Sequence, residues 1–235
     1  MVTFYLFMNN VICVYWGTKY PIKYVNVLYN MVKRNLTLPF NFYCLIDDVG
    51  RNLNSEIKKI PIPNPQLQHW WNKMHLYNSE LKINGNVLYI DLDTVIINNI
   101  NDFFTYGDEQ NFCVIKDFGQ PQTTINSSIL RYNLKYHSHI WQTYIDRKQQ
   151  YDQTHGDQNV ITSMMFKHKQ TVFFPDEWTY SFKWPERGKP EKFETYKPEK
   201  YFIRKDRKIC VFHGHPNPDY IVENHSDSWV KDYWK

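Results

Sequence analysis

Two carboxylates two residues apart, Asp91 and Asp93, interrupt the apolar run Val87–Asn98. A continuous run of this length, rich in Val and Ile, predicts a strand buried on both faces. Alternate side chains on a strand point the same way, so the pair is expected side by side at the strand's C-terminal end. Neighbouring carboxylates repel unless a proton or a hard cation such as Mg²⁺ or Mn²⁺ lies between them. A histidine, His213, follows another predicted strand, Ile209–Phe212. Asp, Asp and His brought to one sheet edge would suit Mn²⁺ or Mg²⁺. A single Asp after a strand more often caps a turn; two at this spacing with a late histidine favour the metal.

The elements that must position these groups are legible in the spacing. Val2–Met8 and Val11–Trp16 are strand-like, and Gly17 to Pro21 is a loop. Tyr24, Val25, Leu28, Tyr29 and Val32 recur at helical spacing, and Lys33-Arg34-Asn35 is a helix stop. Phe42–Ile46 is the next strand. Strand, loop, helix, strand is a βαβ opening and predicts a parallel sheet. Ile57–Ile62 reads as an edge strand closed by Pro61, Pro63 and Pro65. His69–Leu81 is predicted helical, with Trp70, Trp71, Met74 and Tyr77 on one stripe. Phe112–Lys116, Ser128–Tyr132 and Thr171–Phe174 are further strands. Tyr136–Lys148 and a segment from Val160 to Phe166 are helices, and 184–207 is a long basic loop. Nothing repeats and no linker appears, so one α/β domain is expected, with ligands at the carboxyl ends of its strands.

Composition sets the bounds. The 235 residues suit one domain. A 42% hydrophobic content supplies a core, and the 22% charged content argues against disorder. The net charge of +4 suits an anionic small substrate and leaves weak attraction to a polyanion open. Cys13, Cys44, Cys113 and Cys210 are far apart in apolar runs, so four reduced thiols and a reducing, cytoplasmic compartment are expected. The first ten residues lack a basic n-region and a small-residue cleavage site, and read as strand. No apolar run approaches the ~18 residues of a membrane span.

Several motifs together carry a resemblance. Asp91-Leu92-Asp93 resembles the Asp-x-Asp motif of nucleotide-sugar glycosyltransferases with the GT-A fold. Val211-Phe212-His213-Gly214-His215-Pro216-Asn217-Pro218 resembles the ending of glycosyltransferase family 8 and its bacterial and viral relatives. Trp16-Gly17-x-Lys19-Tyr20 is similar to their loop near the nucleotide, and Trp70-Trp71-Asn72-Lys73 precedes the metal motif as it does there. Asn126-Ser127-Ser128 and Gly156-Asp157-Gln158 resemble their segments lining the donor sugar and acceptor. The likeness spans nearly the whole chain.

The resemblance implies a single GT-A, Rossmann-like domain with a mixed, mostly parallel central sheet flanked by helices. Residues 1–120 would be a nucleotide-binding half with the Asp-x-Asp motif, and 121–235 a sugar and acceptor half with the metal-ligand histidine. It implies metal-dependent sugar transfer, with retention, from a nucleotide-diphosphate sugar, foremost a UDP-sugar, to an acceptor hydroxyl. Asp91, Asp93 and His213, preferred to His215, would hold the cation, with Asp91 also near the ribose. Lys73 and Lys183 would bring positive charge to the phosphates or acceptor. Asp157, beside Gln158, would position sugar hydroxyls or assist the reacting centre. Gly214 and Asn217 belong to the C-terminal loop near the diphosphate. The relatives usually carry Lys where Asn217 stands, so either Lys183 supplies that charge or phosphate binding is weaker.

Other readings stand beside these. Asp47-Asp48 is first a turn signal, with nucleotide contact second. Asp157 also suits a helix N-cap, and Lys73 equally an exposed helix position. Trp70 and Trp71 read as core ahead of sugar platforms. Ile90 to Val95 also resembles the nucleophile motif of haloacid-dehalogenase-like phosphohydrolases. That motif normally opens a chain, and a second Asp is missing where Ile161 stands. A third reading is a non-catalytic carbohydrate- or nucleic-acid-binding domain, from the aromatic content and the basic stretch Lys183–Lys208. For a transferase, the acceptor is a glycan, a lipid-linked sugar or a hydroxylated base in modified DNA.

Overall fold

The structure, a computed structural model, describes residues 8–63 and 67–235. Of the strand expected over Val2–Met8 only Met8 is described, just ahead of a strand, and the closing role of Pro65 lies outside the described residues. Ten strands are present among them: β1 (Asn9–Tyr15), β2 (Phe40–Ile46), β3 (Ile57–Pro61), β4 (Asn86–Ile90), β5 (Thr94–Ile96), β6 (Phe112–Lys116), β7 (Ile125–Asn133), β8 (Thr171–Phe173), β9 (Thr179–Ser181) and β10 (Ile209–Val211).

Seven strands form one sheet in the order β3-β2-β1-β4-β7-β6-β8. β1 runs parallel to β2 and β4, β2 to β3, and β6 to β8. β7 alone is antiparallel to its neighbours β4 and β6. The mixed, mostly parallel sheet expected of the chain is therefore present, with β3 at its edge. Its central strands are apolar on both faces because both are covered. Val11, Cys13 and Tyr15 join one core, and Ile12 and Val14 join the other. The helix Lys23–Asn35 covers the first face with Tyr24, Val25, Leu28 and Val32. The segment His69–Tyr77 and the helices His139–Asp146 and Asp157–Met165 cover the second. All four cysteines are buried and free. Among the described residues no helix is long and apolar enough to cross a membrane.

Several expectations are corrected. The run Val87–Asn98 is two strands: β4 ends at Ile90, and β5 belongs to a separate three-stranded sheet, β5-β10-β9. Two carboxylates have no place in a doubly buried ladder, so the chain turns at Asp91-Leu92-Asp93. The Asp91 N–H still donates to Ser128 O at 2.8 Å, and Thr94 Oγ1 donates back to Asp91 O at 2.9 Å. β10 is likewise a strand of the small sheet, antiparallel to β5. Finally, His69–Leu81 is 3₁₀, as His69–Tyr77 and Ser79–Leu81, divided at Asn78, whose side chain accepts from Glu80 N. Trp71, Met74 and Tyr77 are buried at intervals of three, the period of a 3₁₀ turn. Trp70 falls off that stripe and is exposed.

Tyr136–Lys148 is also broken, into Leu134–His137 and His139–Asp146, with Lys148–Tyr151 following. His137 sits at the first break, fully buried, and its Nδ1 accepts the Asn133 N–H at 3.1 Å. Its Nε2 has no partner. Burial, together with the nearby His139 and His168, pushes its pKa down to about 4. Because the folded value lies below that of the unfolded chain, the unfolded chain takes up this proton first. The stability present above about pH 6.5 is therefore lost as pH falls towards 4, by about 3 kcal/mol in all. Denaturant unfolding at pH 7 and pH 5 should show a smaller fall for His137→Gln than for the wild type. Equal falls would contradict this account of His137.

Candidate active site

β1, β2 and β4 are parallel, so their C-terminal ends share one edge of the sheet. The antiparallel β7 brings its N-terminal end, Ile125 and Asn126, to the same edge. A cavity of about 400 Å³ opens there. The loop after β1 contributes Trp16, Lys19 and Tyr20, and the turn after β4 contributes Asp91 and Asp93. Asn126 and Ser127 come from β7, Asp157 and Gln158 from the start of a helix, and His213 and Gly214 from the loop after β10. Lys73 reaches in from the 3₁₀ segment.

Register explains the arrival of the C-terminal loop. β10 pairs Val211 with Thr94, so the residues after Val211 run alongside Asp93. The Phe212 N–H donates to Asp93 O at 3.1 Å, and the Gly214 N–H donates to Asp93 Oδ2 at 3.3 Å. Tyr20 Oη donates to the same Oδ2 at 3.0 Å. Asp93 is buried. Burial first, and the neighbouring Asp91 charge second, hold its pKa above the usual carboxylate range, against the pull of these two donors. The Lys19 charge also pulls it down, without cancelling burial and the Asp91 charge.

Asp91 is held differently. Tyr89 Oη donates to its Oδ1, and Lys73 Nζ lies 3.3 Å from that oxygen. Lys73 Nζ also lies 3.1 Å from Asp157 Oδ2 and donates to Ser127 Oγ at 3.1 Å. Ser127 Oγ in turn donates to Asp157 Oδ2 at 2.8 Å. Burial works against the Lys73 charge, but the Asp157 and Asp91 carboxylates outweigh it and raise the ammonium pKa. Asp157 is the first helical residue, with Gly156 as the cap, so its carboxylate serves the cavity and caps no helix. Gln158 is gripped at both ends: Nε2 donates to Asp117 Oδ2 at 3.2 Å, and Oε1 accepts the Ser127 N–H at 3.4 Å.

His213 has φ of 37°, in the left-handed region. Its ring stacks on Phe118 at 5.6 Å and meets Trp184 edge-on at 4.5 Å. Burial, then the Lys183 charge, lowers its pKa to about 4, so the imidazole is neutral near pH 7. Its Nε2 is 2.6 Å from Ser181 Oγ. Among the described residues, no three His, Cys, Asp or Glu side chains stand close enough together to hold a metal ion. The residues that could hold a hard cation are the pair Asp91 and Asp93, neighbouring carboxylates of which Asp91 is ion-paired with Lys73. His213, as a neutral imidazole, is a borderline ligand engaged by Ser181.

Other expected residues stand outside this cavity. Gly17 and Asp47 line an adjoining recess of about 280 Å³ with Trp16. Asp47 Oδ2 accepts the Gly17 N–H at 2.6 Å, and Arg51 pairs with Asp47 at 3.3 Å. Lys183 donates to His213 O at 3.0 Å and to His215 O at 3.2 Å, so it ties down the loop. Asn217 stands at the N-cap of the helix Pro218–Asn224, with its Oδ1 buried and unpartnered. Sequence reasoning missed Tyr89 and Ser181. A tyrosine inside an apolar strand and a serine inside a three-residue strand carry no signal of their own.

Losing the Lys73 charge would leave Asp91 and Asp157 facing each other without it. Lys73→Met should lower the unfolding free energy near pH 7 by about 3 kcal/mol. Adding Asp157→Asn should recover part of that loss. A change within about 0.5 kcal/mol, read by denaturant titration, would contradict this role of Lys73.

No protein-family model matches the sequence, and no curated protein sequence matches it. Solved structures do. An active-site mutant of LgtC is 12% identical with TM-score 0.66, over 95% of this chain and 93% of that one. The galactosyltransferase LgtC in complex with donor and acceptor sugar analogues is 13% identical with TM-score 0.62, over 89% of this chain and 88% of that one. The apo-form glycosyltransferase GlyE of Streptococcus pneumoniae TIGR4 is 15% identical with TM-score 0.67, over 90% of this chain and 56% of that one. At this level of identity the likeness shows the fold: the chain has the GT-A fold of these glycosyltransferases.

Proposed function

We propose that the protein transfers a sugar from a nucleotide-diphosphate donor, a UDP-sugar foremost, to an acceptor hydroxyl with retention of anomeric configuration. One observation carries the reading. Two acidic centres of different character, Asp93 with Asp91 and Asp157 with Lys73, line one cavity at the carboxyl edge of a glycosyltransferase fold. A galactosyltransferase of that fold has been solved with donor and acceptor sugar analogues.

Asp91 and Asp93 would hold Mn²⁺ or Mg²⁺, with His213 as the third protein ligand once released from Ser181. A cation held there would supply positive charge that stabilises the diphosphate as the leaving group. The chain's own groups do the rest. Tyr20 and the Gly214 N–H orient Asp93. Trp16, Lys19 and Tyr20 flank the nucleotide, with Gly17 and Asp47 in the adjoining recess. Lys183 acts by pinning the His213 loop, which brings Gly214 to the cavity and leaves Asn217 behind it. Lys73 fixes the orientation of Asp157, which would accept hydroxyls of the donor sugar. Asn126, Ser127 and Gln158 complete the wall at the reacting carbon. The phosphohydrolase reading fits less well, because Asp91 Oδ1 is already engaged by Tyr89 and Lys73.

A screen of nucleotide sugars with Mn²⁺ or Mg²⁺ present should reveal slow hydrolysis of at least one donor, with release of the nucleoside diphosphate. Asp93→Ala should reduce that rate at least about a hundredfold, matching the loss of several kcal/mol of charge stabilisation. Chelator should do the same to the wild type. If no donor is turned over and no divalent cation binds, the proposal fails. Phosphate release from an aryl phosphate, abolished by Asp91→Asn, would replace it with a phosphohydrolase.

A further inference from the structure

Trp70 is 46% exposed, at the exposed start of a segment that turns into the core from Trp71 onward. Its indole lines the mouth of the cavity. A Cβ added to Gly156 would lie 3.1 Å from both Cδ1 and Nε1 of the indole. The absence of a side chain at Gly156 is therefore what lets the indole rest there. The ring also meets His69, with centroids 5.7 Å apart. The indole is seated against backbone while much of its surface stays open to solvent.

The site's own contacts set the order of its parts. Gly214 bonds Asp93, Asp91 pairs with Lys73, Lys73 pairs with Asp157, and Gly156 precedes Asp157 and carries Trp70. The row begins at the paired carboxylates and ends at an open aromatic surface. On the proposed reading, the diphosphate takes the Asp93 end and the donor sugar the Asp157 region. What stacks on Trp70 is then the molecule arriving from solvent, the acceptor.

We propose that Trp70 is the platform for the pyranose ring of a carbohydrate acceptor. A pyranose presents an apolar C–H face that suits the negative face of an indole, and its hydroxyls can reach the polar wall. A base would also stack, but a nucleic-acid strand brings phosphates that need cations. The cavity that Trp70 lines carries two cations, Lys19 and Lys73, and three acids, Asp91, Asp93 and Asp157. Lys73 is already shared by two carboxylates. This rim disfavours a polyanion and leaves a neutral sugar ring as the better occupant.

The test uses the full chain labelled with 5-fluorotryptophan, whose eight tryptophans give separate fluorine signals, with Trp70 assigned through Trp70→Phe. Methyl glycosides of glucose, galactose and N-acetylglucosamine are titrated in turn, and then a single-stranded oligothymidylate. The Trp70 signal should move saturably with at least one glycoside and stay still with the oligonucleotide. By calorimetry, Trp70→Ala should bind that glycoside about tenfold more weakly, and Trp70→Phe should fall in between. A Trp70 signal that no glycoside moves, or that the oligonucleotide moves, overturns the proposal. Failure of the donor reading shows separately, as absent Mn²⁺-dependent nucleotide binding, and leaves the Trp70 response to glycosides unchanged.

Discussion

A largely buried ammonium between two carboxylates is the interaction on which the cavity depends. Lys73 lies 3.3 Å from Asp91 Oδ1 and 3.1 Å from Asp157 Oδ2. The three groups come from a 3₁₀ segment, the turn after β4 and the start of a helix. Each alone would be costly to bury, and each is tolerable because the others are there. The triad also divides the labour of the site. It occupies Asp91 Oδ1 and Asp157 while leaving Asp93 with two neutral hydrogen-bond donors and Lys19 acting on it only through space. A divalent cation would relieve the repulsion between Asp93 and Asp91.

The second constraint is the turn at Asp91-Leu92-Asp93. It ends β4 in the large sheet and starts β5 in the small one. Because β10 pairs with β5 in antiparallel register, the chain after Val211 is delivered onto Asp93. The histidine end of the protein reaches the carboxylates through the small sheet, although the two are about 120 residues apart in sequence. Lys183 then holds the loop by two of its carbonyls. Phe118 and Trp184 fix the His213 ring.

Much of this is legible in the sequence. Long apolar runs with strong period signals, such as Val11–Trp16 and the helix from Tyr24 to Val32, appear where expected because burial on both faces leaves little choice. The cavity residues Asp91, Asp93, Lys73, Asp157 and His213 come together because each follows or faces a sheet edge. Short elements were not legible. β5, β9 and the helix Val230–Tyr233 have three or four residues, too few for a period to show. The stripe Trp71, Met74 and Tyr77 does not separate the two helix types, because positions three and six residues on stay within about a third of a turn on an α-helix and align on a 3₁₀ helix. An α-helix would also bring Trp70 onto that stripe, and a 3₁₀ turn does not. The tether of Lys183 to backbone carbonyls has no side-chain pattern that a sequence could display.

The central claim is that Asp93 and Asp91 bring a divalent cation to a nucleoside diphosphate. Calorimetric titration of nucleoside diphosphates, with and without Mn²⁺, into the wild type and Asp93→Asn tests it most directly. The account predicts binding of at least one nucleoside diphosphate that requires Mn²⁺ in the wild type and is lost in Asp93→Asn. Binding that is indifferent to Mn²⁺, or that survives the substitution undiminished, would contradict it.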